Sequence, residues 1–292
     1  MATLFAAIFS SHMVLQREAP IPVWGFLPAG TRVDISLGGS ARTTSADASG
    51  RWGVEFPALP AGGPFVLAAN ATTGARALLV DVLVGDVVLC GGQSNMDMPV
   101  SYAFNATAEA AAAALFPSLR YFAVNANYSI VPLREFISTG RWEVGTSAAV
   151  ASGYSAVCWF AVRDSYTALR ASGAGDIPVG MVHSALGGTP IQQWLSASAA
   201  ATCPAAMPPM YPVYSNLYNA MIAPMVLNGL RLSYTIWCAF FVCVPCNAMP
   251  CLAISCAFPP TPPPTFYCPP QTSLCAALAN PRDYCALRPG RG

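Results

Sequence analysis

The sequence predicts an α/β fold in which a parallel sheet follows a small β-sandwich domain. Short apolar runs separated by turn sequences fill the first 80 residues, whereas longer apolar runs alternate with helical patterns from residue 81 to about residue 231. The length of 292 residues also favours two units, since single cores rarely grow beyond about 250 residues. We therefore expect a β-domain at 1–80, an α/β domain at 81–231 and a separate tail at 232–292.

The first 80 residues carry the pattern of short β-strands. Five runs are apolar or partly alternating, and sequences rich in Gly, Pro, Asp and Ser separate them. The runs are Ile21 to Trp24, Thr31 to Leu37, Trp52 to Phe56, Phe65 to Ala69 and Ala77 to Val82. Strands at this spacing favour a small sandwich. We expect this domain to act as a packing platform rather than to have a function of its own.

Predicted strands and helices alternate from residue 82. Val82 to Cys90 is a nearly continuous apolar run interrupted by Gly85 and Asp86, which is typical of a strand buried on both faces of a parallel sheet. Further strands are predicted at Leu119 to Val124 and Ile177 to Val182, and helices at Ala108 to Phe116, Tyr154 to Arg170 and Ile191 to Ala200. Such sheets bind ligands beyond the carboxyl ends of their strands, so we expect the site there.

The overall composition excludes two classes of protein. A hydrophobic share of 54% with a net charge of +1 excludes a wholly disordered chain, and the 14 basic residues, all Arg, give no excess over the 13 acidic ones for binding nucleic acid. Met1 to Phe9 lacks the basic region and cleavage site of a signal peptide. Sequons at Asn70, Asn105 and Asn127 suit a secreted protein but also occur by chance.

The tail differs from the rest of the chain in composition. Residues 232–292 hold 8 of the 11 Cys and 11 of the 27 Pro. Cys243 and Cys246 have the spacing of half a zinc site, but other cysteines crowd them and no His follows, so no metal is expected. The uncharged stretch Ile236 to Cys256 is interrupted by two prolines and Asn247, so membrane association is not expected. We expect this tail to be disordered.

A glycine-rich turn follows the first buried strand. In the run Cys90-Gly91-Gly92-Gln93-Ser94-Asn95-Met96, small neighbours leave the Ser94 hydroxyl accessible and let a backbone N–H approach a substrate carbonyl oxygen. A serine at the end of a strand is a recurrent nucleophile position, but Gly-Gly before Ser-Asn is also an ordinary turn. Spacing alone leaves both interpretations open.

This turn and its flanks resemble the nucleophile block of the sialate O-acetylesterase family, which are carbohydrate esterases of the SGNH hydrolase superfamily. The similar block runs from Asp81 to Met96. Other segments match the family in order over about residues 4–231: His12 to Arg17, Pro22 to Gly25, Gly50 to Trp52, Tyr154 to Ala156, Gly187 to Ile191 and Tyr218 to Pro224. The resemblance implies an SGNH-hydrolase-like (flavodoxin-like) parallel sheet, here incomplete, behind the β-domain.

The same resemblance implies hydrolysis of an O-acetyl ester on a sugar or glycan. Ser94 would attack the acetyl carbonyl to form an acyl-enzyme, and the backbone N–H groups of Gly188 and Ser94 would bind the oxyanion. The alternative for Gly187-Gly188-Thr189 is a tight loop. No cofactor is expected, because this acyl transfer uses protein groups alone. The resemblance suggests a secreted or lysosomal location; compartment, oligomeric state and the identity of the sugar stay open.

The sequence departs from the family pattern where a general base is expected. The family continues with Trp-Tyr-Gln-Gly-Glu and later an Asp-x-x-His motif, whereas here Cys238-Ala239-Phe240 follows Trp237 and no His follows His183. Removing a member of such a triad costs about 10⁴–10⁶ in turnover. We interpret His12 as part of the β-domain and His183 as a strand-end residue, and we assign neither to catalysis.

Three functional hypotheses stay open, in this order. The chain is an acetyl-sugar esterase by class, or it is a carbohydrate-binding pseudoenzyme without turnover, or its tail anchors it to a membrane. We also hypothesise that residues 232–292 derive from a non-homologous reading frame or a retained intron, because the composition changes where the family pattern ends. The chain would then be a truncated gene product that lacks the base.

Overall fold

The computed structural model describes residues 3–146, 148, 150, 153–201 and 214–238. Its strands are β1 (Val14–Gln16), β2 (Ile21–Phe26), β3 (Arg32–Leu37), β4 (Ser40–Ser45), β5 (Arg51–Phe56), β6 (Gly62–Ala71), β7 (Arg76–Gly92), β8 (Leu119–Ala123), β9 (Glu143–Val144), β10 (Val179–Ala185) and β11 (Tyr234–Cys238). Its helices are α1 (Ser94–Asp97), α2 (Ala106–Ala112), α3 (Ala156–Ala171), α4 (Ala197–Ala201) and α5 (Ala223–Val226). Shorter helical turns lie at Val100–Tyr102, Ala113–Leu115, Ile191–Trp194 and Tyr218–Ile222.

The longest strand, β7, belongs to two sheets. Its first part pairs antiparallel with β6 and parallel with β1, and its last part pairs parallel with β10 and β11. Asp81 has a φ of 55°, a left-handed conformation that interrupts the extended backbone between the two parts. The predicted strands Ala77 to Val82 and Val82 to Cys90 are therefore one strand, and the predicted boundary at residue 80 falls inside it.

The strands predicted within the first 80 residues are present. β3, β4, β6, β1 and the first part of β7 form one sheet, and β2 pairs with β5 in a separate two-stranded sheet. Trp24 and Trp52 of the smaller sheet are buried in the same core as Val33 and Leu67 of the larger one. Because the larger sheet continues through β7 into the parallel sheet, a separate β-sandwich domain is not confirmed. The division into domains stays a prediction.

The second sheet has the strand order β11-β7-β10-β8-β9, and all its pairs are parallel except β8 with β9. Together with the helices, it confirms the predicted α/β class. In a flavodoxin-like sheet the first strand lies between the second and the third. Here β7 is the first strand of the parallel sheet, and it lies between the third strand, β10, and the fourth, β11. The second strand, β8, pairs with β10 and not with β7. The order therefore differs from the flavodoxin-like order that the resemblance implies.

Side chains of β7 alternate between two cores. Val87 and Leu89 belong to the core that also contains the first 80 residues, whereas Val88 and Cys90 belong to a second core with Trp159 of α3. Successive residues of a strand face opposite sides of a sheet, so this part of β7 is covered on both faces, as its apolar run predicts. The strand ends at Gly92, at the carboxyl edge of the parallel sheet.

The predicted helices are present with shifted ends. Tyr154 to Arg170 corresponds to α3, Ala108 to Phe116 corresponds to α2 and the turn after it, and Ile191 to Ala200 corresponds to a 3₁₀ turn followed by α4. Nearly all of the tail, including its cysteine pair, the larger part of its uncharged stretch and its prolines, lies outside the described residues. Within the described ranges, no helix has the length and apolarity needed to cross a membrane.

Candidate functional site

Ser94 lies two residues after the end of β7 and is the first residue of α1. Its side chain is exposed, as the predicted role requires. Gly92 has a φ of 140°, a conformation that favours glycine and lets the chain turn out of the strand. The strand therefore ends in a bend that carries the Ser94 hydroxyl to the carboxyl edge of the sheet, where ligands of such sheets bind.

The side chain of Gln93 sets the orientation of the Ser94 hydroxyl. Gln93 is buried, and its Oε1 accepts hydrogen bonds from Ser94 N at 3.0 Å and Ser94 Oγ at 2.8 Å. The Gln93 carbonyl oxygen accepts a further bond from Asp97 N, which closes the turn of α1. An amide oxygen orients the hydroxyl but is too weak a base to remove its proton.

The loop after β10 lies directly beside Ser94. A Cβ atom built on Gly187 would lie 3.7 Å from Ser94 Cα and 3.8 Å from Ser94 Cβ. The N–H of Leu186 donates to the Gly92 carbonyl oxygen at 3.1 Å, and the N–H of Gly187 donates to Asp97 Oδ2 at 3.0 Å. The structure thus brings together the two glycine motifs that the sequence singles out, although 90 residues separate them.

Gly188 follows in an open position of this loop. Its φ is 75°, a left-handed conformation that favours glycine, and no heavy atom lies within 4 Å of the place where a Cβ would stand. The residue is exposed. The place where a side chain would stand at Gly188 is therefore open.

A chain of contacts connects the loop after β10 to β11 and to the end of β7. Thr189 Oγ1 donates to the Leu186 carbonyl oxygen at 2.6 Å and accepts from Trp194 Nε1 at 2.9 Å. Trp194 packs edge-on against Trp237 of β11, with ring centroids 5.5 Å apart. A Cβ on Gly91 would lie only 2.2 Å from Trp237 Cζ3, so this ring needs a glycine at position 91.

β11 runs beside β7 up to the site. Its register places Trp237 opposite Gly91 and Cys238 opposite Gly92. Just before the strand, Ser233 Oγ lies 2.7 Å from Asp86 Oδ1 and 3.0 Å from Gln16 Oε1. Ile236 and Trp237 lie within this strand, and Ala239 and Phe240 lie outside the described residues.

Neither histidine of the chain contacts Ser94 Oγ in the described structure. His183 is buried in β10, its Nε2 lies 3.3 Å from the Met96 carbonyl oxygen, and its ring stacks on Tyr121. Burial lowers the pKa of His183 and so favours its neutral form. His12 pairs instead with Asp81, at 2.7 Å. Both positions agree with the structural roles expected for them.

Sequence reasoning missed three features of this site. Gln93 and Asp97 flank Ser94 in the sequence, and the spacing of three residues between Ser94 and Asp97 within one helical turn is a signal that both lie on one face. The third is a disulfide between Cys90 of β7 and Cys158 of α3, with a Cα–Cα distance of 5.9 Å. The crowded cysteines of the tail carry no information about this pair.

No family model matches the chain. Among curated proteins, it is 34% identical to sialate O-acetylesterases of Pongo abelii and Homo sapiens in an alignment of 256 positions that covers 80% of this chain and 47% of each relative. The chain thus spans about half the length of these relatives. Among solved structures, it matches a carbohydrate acetylesterase from Xanthomonas citri with a TM-score of 0.70 and 34% identity, over 82% of this chain and 52% of the other.

Proposed function

This chain is a homologue of the sialate O-acetylesterases over 80% of its length, and from that premise we propose that it hydrolyses O-acetyl esters of sugars or glycans with Ser94 as the nucleophile. The observation that carries the proposal is the position of Ser94. Ser94 is exposed at the carboxyl edge of the sheet, and a Cβ built on Gly187 would lie 3.8 Å from Ser94 Cβ. The relatives named as acetylesterases support acetyl transfer from a carbohydrate.

The proposed reaction has two steps. Ser94 Oγ attacks the acetyl carbonyl carbon, the C–O bond to the sugar breaks, the sugar oxygen takes up a proton, and an acetyl-serine remains. Water then attacks the acetyl-serine and releases acetate, which restores the Ser94 hydroxyl. During both steps the carbonyl oxygen gains negative charge, and the N–H groups of Ser94 and Gly188 would stabilise it.

Ser94 N–H is bonded to Gln93 Oε1 before substrate arrives. For this N–H to serve the oxyanion, the Gln93 side chain has to release it or share it. Gly188 N–H has no hydrogen bond to another described residue, so it is the donor that needs no rearrangement.

A second candidate function is carbohydrate binding without turnover. It is favoured by one observation: both histidines of the chain bond to groups other than Ser94, so the described residues place no imidazole against the nucleophile. Gln93 Oε1, which holds the Oγ proton, does not replace a base. A serine without a base retains only the rate that oxyanion stabilisation supplies.

Hydrolysis of a chromogenic acetyl ester and of O-acetylated sugars distinguishes the two functions. We expect wild-type turnover that Ser94→Ala abolishes, whereas Ser101→Ala, which changes an exposed serine in the turn after α1, leaves it unchanged. Turnover that survives in Ser94→Ala contradicts the assigned nucleophile. If the wild type binds O-acetylated sugars and hydrolyses none of them, the binding function is correct and the esterase is not.

A further inference from the structure

We propose that Asp97 is a positioning residue that holds the Gly187-Gly188 loop against the nucleophile, so that Gly188 N–H is left to bind the oxyanion. This inference rests on the proposed esterase function. Ser94 and Asp97 are the first and last residues of the single turn α1. The same turn therefore carries the nucleophile and fixes the loop that would stabilise its transition state.

The contact between Asp97 and the loop joins two distant segments. Gly187 N–H donates to Asp97 Oδ2 at 3.0 Å. A Cβ on Gly187 would lie 3.5 Å from Asp97 Oδ2 and 3.8 Å from Ser94 Cβ, so Gly187 sits over both side chains. Hydrogen bonds to a carboxylate are shorter and stronger than bonds between neutral groups. Asp97 is thus the side chain that sets the distance between the loop and Ser94.

This bond also decides between the two glycines as oxyanion donor. Gly187 N–H is occupied by the carboxylate and points to Asp97 rather than to a substrate. Gly188 N–H is bonded to no other described residue, and Gly188 adopts a φ of 75° beside open space. The bond to Asp97 fixes Gly187 N–H and leaves Gly188 N–H available to the oxyanion. An oxyanion site needs its donors oriented in this way before the reaction.

A carboxylate near a developing oxyanion also has a cost, because like charges repel. Asp97 is exposed, so water and salt screen this repulsion strongly. The hydrogen bond acts at contact distance and is screened less. We therefore expect the net effect of Asp97 on the reaction to be favourable, and modest because the bond is exposed to solvent.

Kinetics of Asp97 variants test this role. We expect Asp97→Ala to lower kcat about tenfold while KM changes less than twofold, since the loop acts on the transition state more than on the bound substrate. Asp97→Asn keeps an oxygen that can accept from Gly187 N–H and should recover part of the loss. The matched control is Asp164→Ala, which removes an exposed carboxylate of α3 far along the chain and should leave kcat unchanged. An unchanged kcat in Asp97→Ala overturns the inference.

A second measurement does not depend on turnover. Amide hydrogen exchange at Gly187 should be faster in Asp97→Ala than in the wild type and unchanged in Asp164→Ala, because only the first variant loses the acceptor. If the wild type hydrolyses no ester, the esterase proposal fails, yet faster exchange at Gly187 still supports the tether. Equal exchange in wild type and Asp97→Ala overturns the tether whether or not the chain is active.

Discussion

Gly91 illustrates how a single residue without a side chain shapes the site. The Trp237 ring of β11 occupies the place where a Cβ on residue 91 would stand. This contact lets Trp237 pack on β7 and on Trp194, which in turn bonds to Thr189 in the loop after β10. The absence of a side chain at Gly91 therefore allows the Trp237–Trp194 contact that links the end of β7 to the loop after β10.

Replacing Gly91 with alanine should destabilise the protein and impair the site. The added Cβ would lie 2.2 Å from Trp237 Cζ3, so the ring or the strand has to move. Overpacking of this kind typically costs about 1–3 kcal/mol. Denaturant unfolding of Gly91→Ala should show this loss, together with reduced ester hydrolysis.

The control for this change is Gly153→Ala. Gly153 has no heavy atom within 4 Å of its Cβ position and no positive φ, so its substitution is expected to leave unfolding and hydrolysis nearly unchanged. If Gly91→Ala is as stable as Gly153→Ala, Trp237 does not pack on the strand as described.

At the scale of elements, the sequence predicts the type of each segment, helix or strand, better than it predicts the continuity and order of the strands. Period-two runs predict β2, β3, β5 and β6, and helical spacing predicts α3. The continuity of β7 is missed at Asp81, where the apolar pattern changes, whereas a single left-handed residue is accommodated within one strand. Strand order depends on which edges pair, and no local pattern encodes it.

In the candidate site, too, the sequence predicts the local motifs but not the contacts between distant residues. Ser94 and the Gly187-Gly188 loop are predicted because each carries a local motif, and their proximity follows from the edge of the sheet at which both strands end. Trp194 and Trp237 act on the site through their mutual packing and through the bond from Trp194 to Thr189, and Cys90 and Cys158 pair over 68 residues. A single sequence holds no signal for contacts of this kind.

The disulfide between β7 and α3 should contribute strongly to stability. It closes a loop of 68 residues and joins β7, the strand that leads to Ser94, to the helix α3. By loop entropy, such a bond stabilises the folded state by about 4 kcal/mol. The double variant Cys90→Ala/Cys158→Ala is expected to lose this amount in denaturant unfolding.

Reduction of the disulfide in the wild-type protein provides the comparison for the double variant. Wild-type protein treated with a thiol reductant should unfold at the lower denaturant concentration of the double variant, and the double variant should not respond to the reductant. A double variant that unfolds like oxidised wild type would show that the pair is not bonded in solution.

Across the whole molecule, polar contacts tie the first sheet to the parallel sheet and to the segments beside it. Arg120 of β8 is buried and donates from Nη1 to Asp81 Oδ2 at 2.6 Å, at the interruption of β7, and His12 bonds to the same carboxylate. Burial raises the pKa of the Asp81 carboxyl, but hydrogen bonds from Arg120 and His12 outweigh it, so the net pKa is lowered and the carboxylate stays charged. Arg51 of β5 makes a second tie to the turn that follows α5, donating from Nε to Asn228 Oδ1 at 2.8 Å.

These ties and the shared strand β7 predict that the described parts unfold together. A break at residue 80 would cut β7 and separate its pairing with β6 from its pairing with β10. Native-state hydrogen exchange should therefore give one common opening free energy for the amides of β3 and β6 and for those of β10. Two separate values would instead mean that the predicted domains at 1–80 and 81–231 are independent units.

Asn228 offers a sharper form of this experiment, because it lies where the two parts meet. Its Nδ2 donates to the carbonyl oxygens of Pro224 and Arg134, and its Oδ1 accepts from Arg51. Asn228→Ala should lower the opening free energies of β6 and β10 by the same amount, about 1–3 kcal/mol, since the three hydrogen bonds of a buried side chain are lost. Asn125→Ala, which removes one exposed bond to Ser138, should lower neither. A loss confined to β10 would show that β7 does not transmit stability between the sheets.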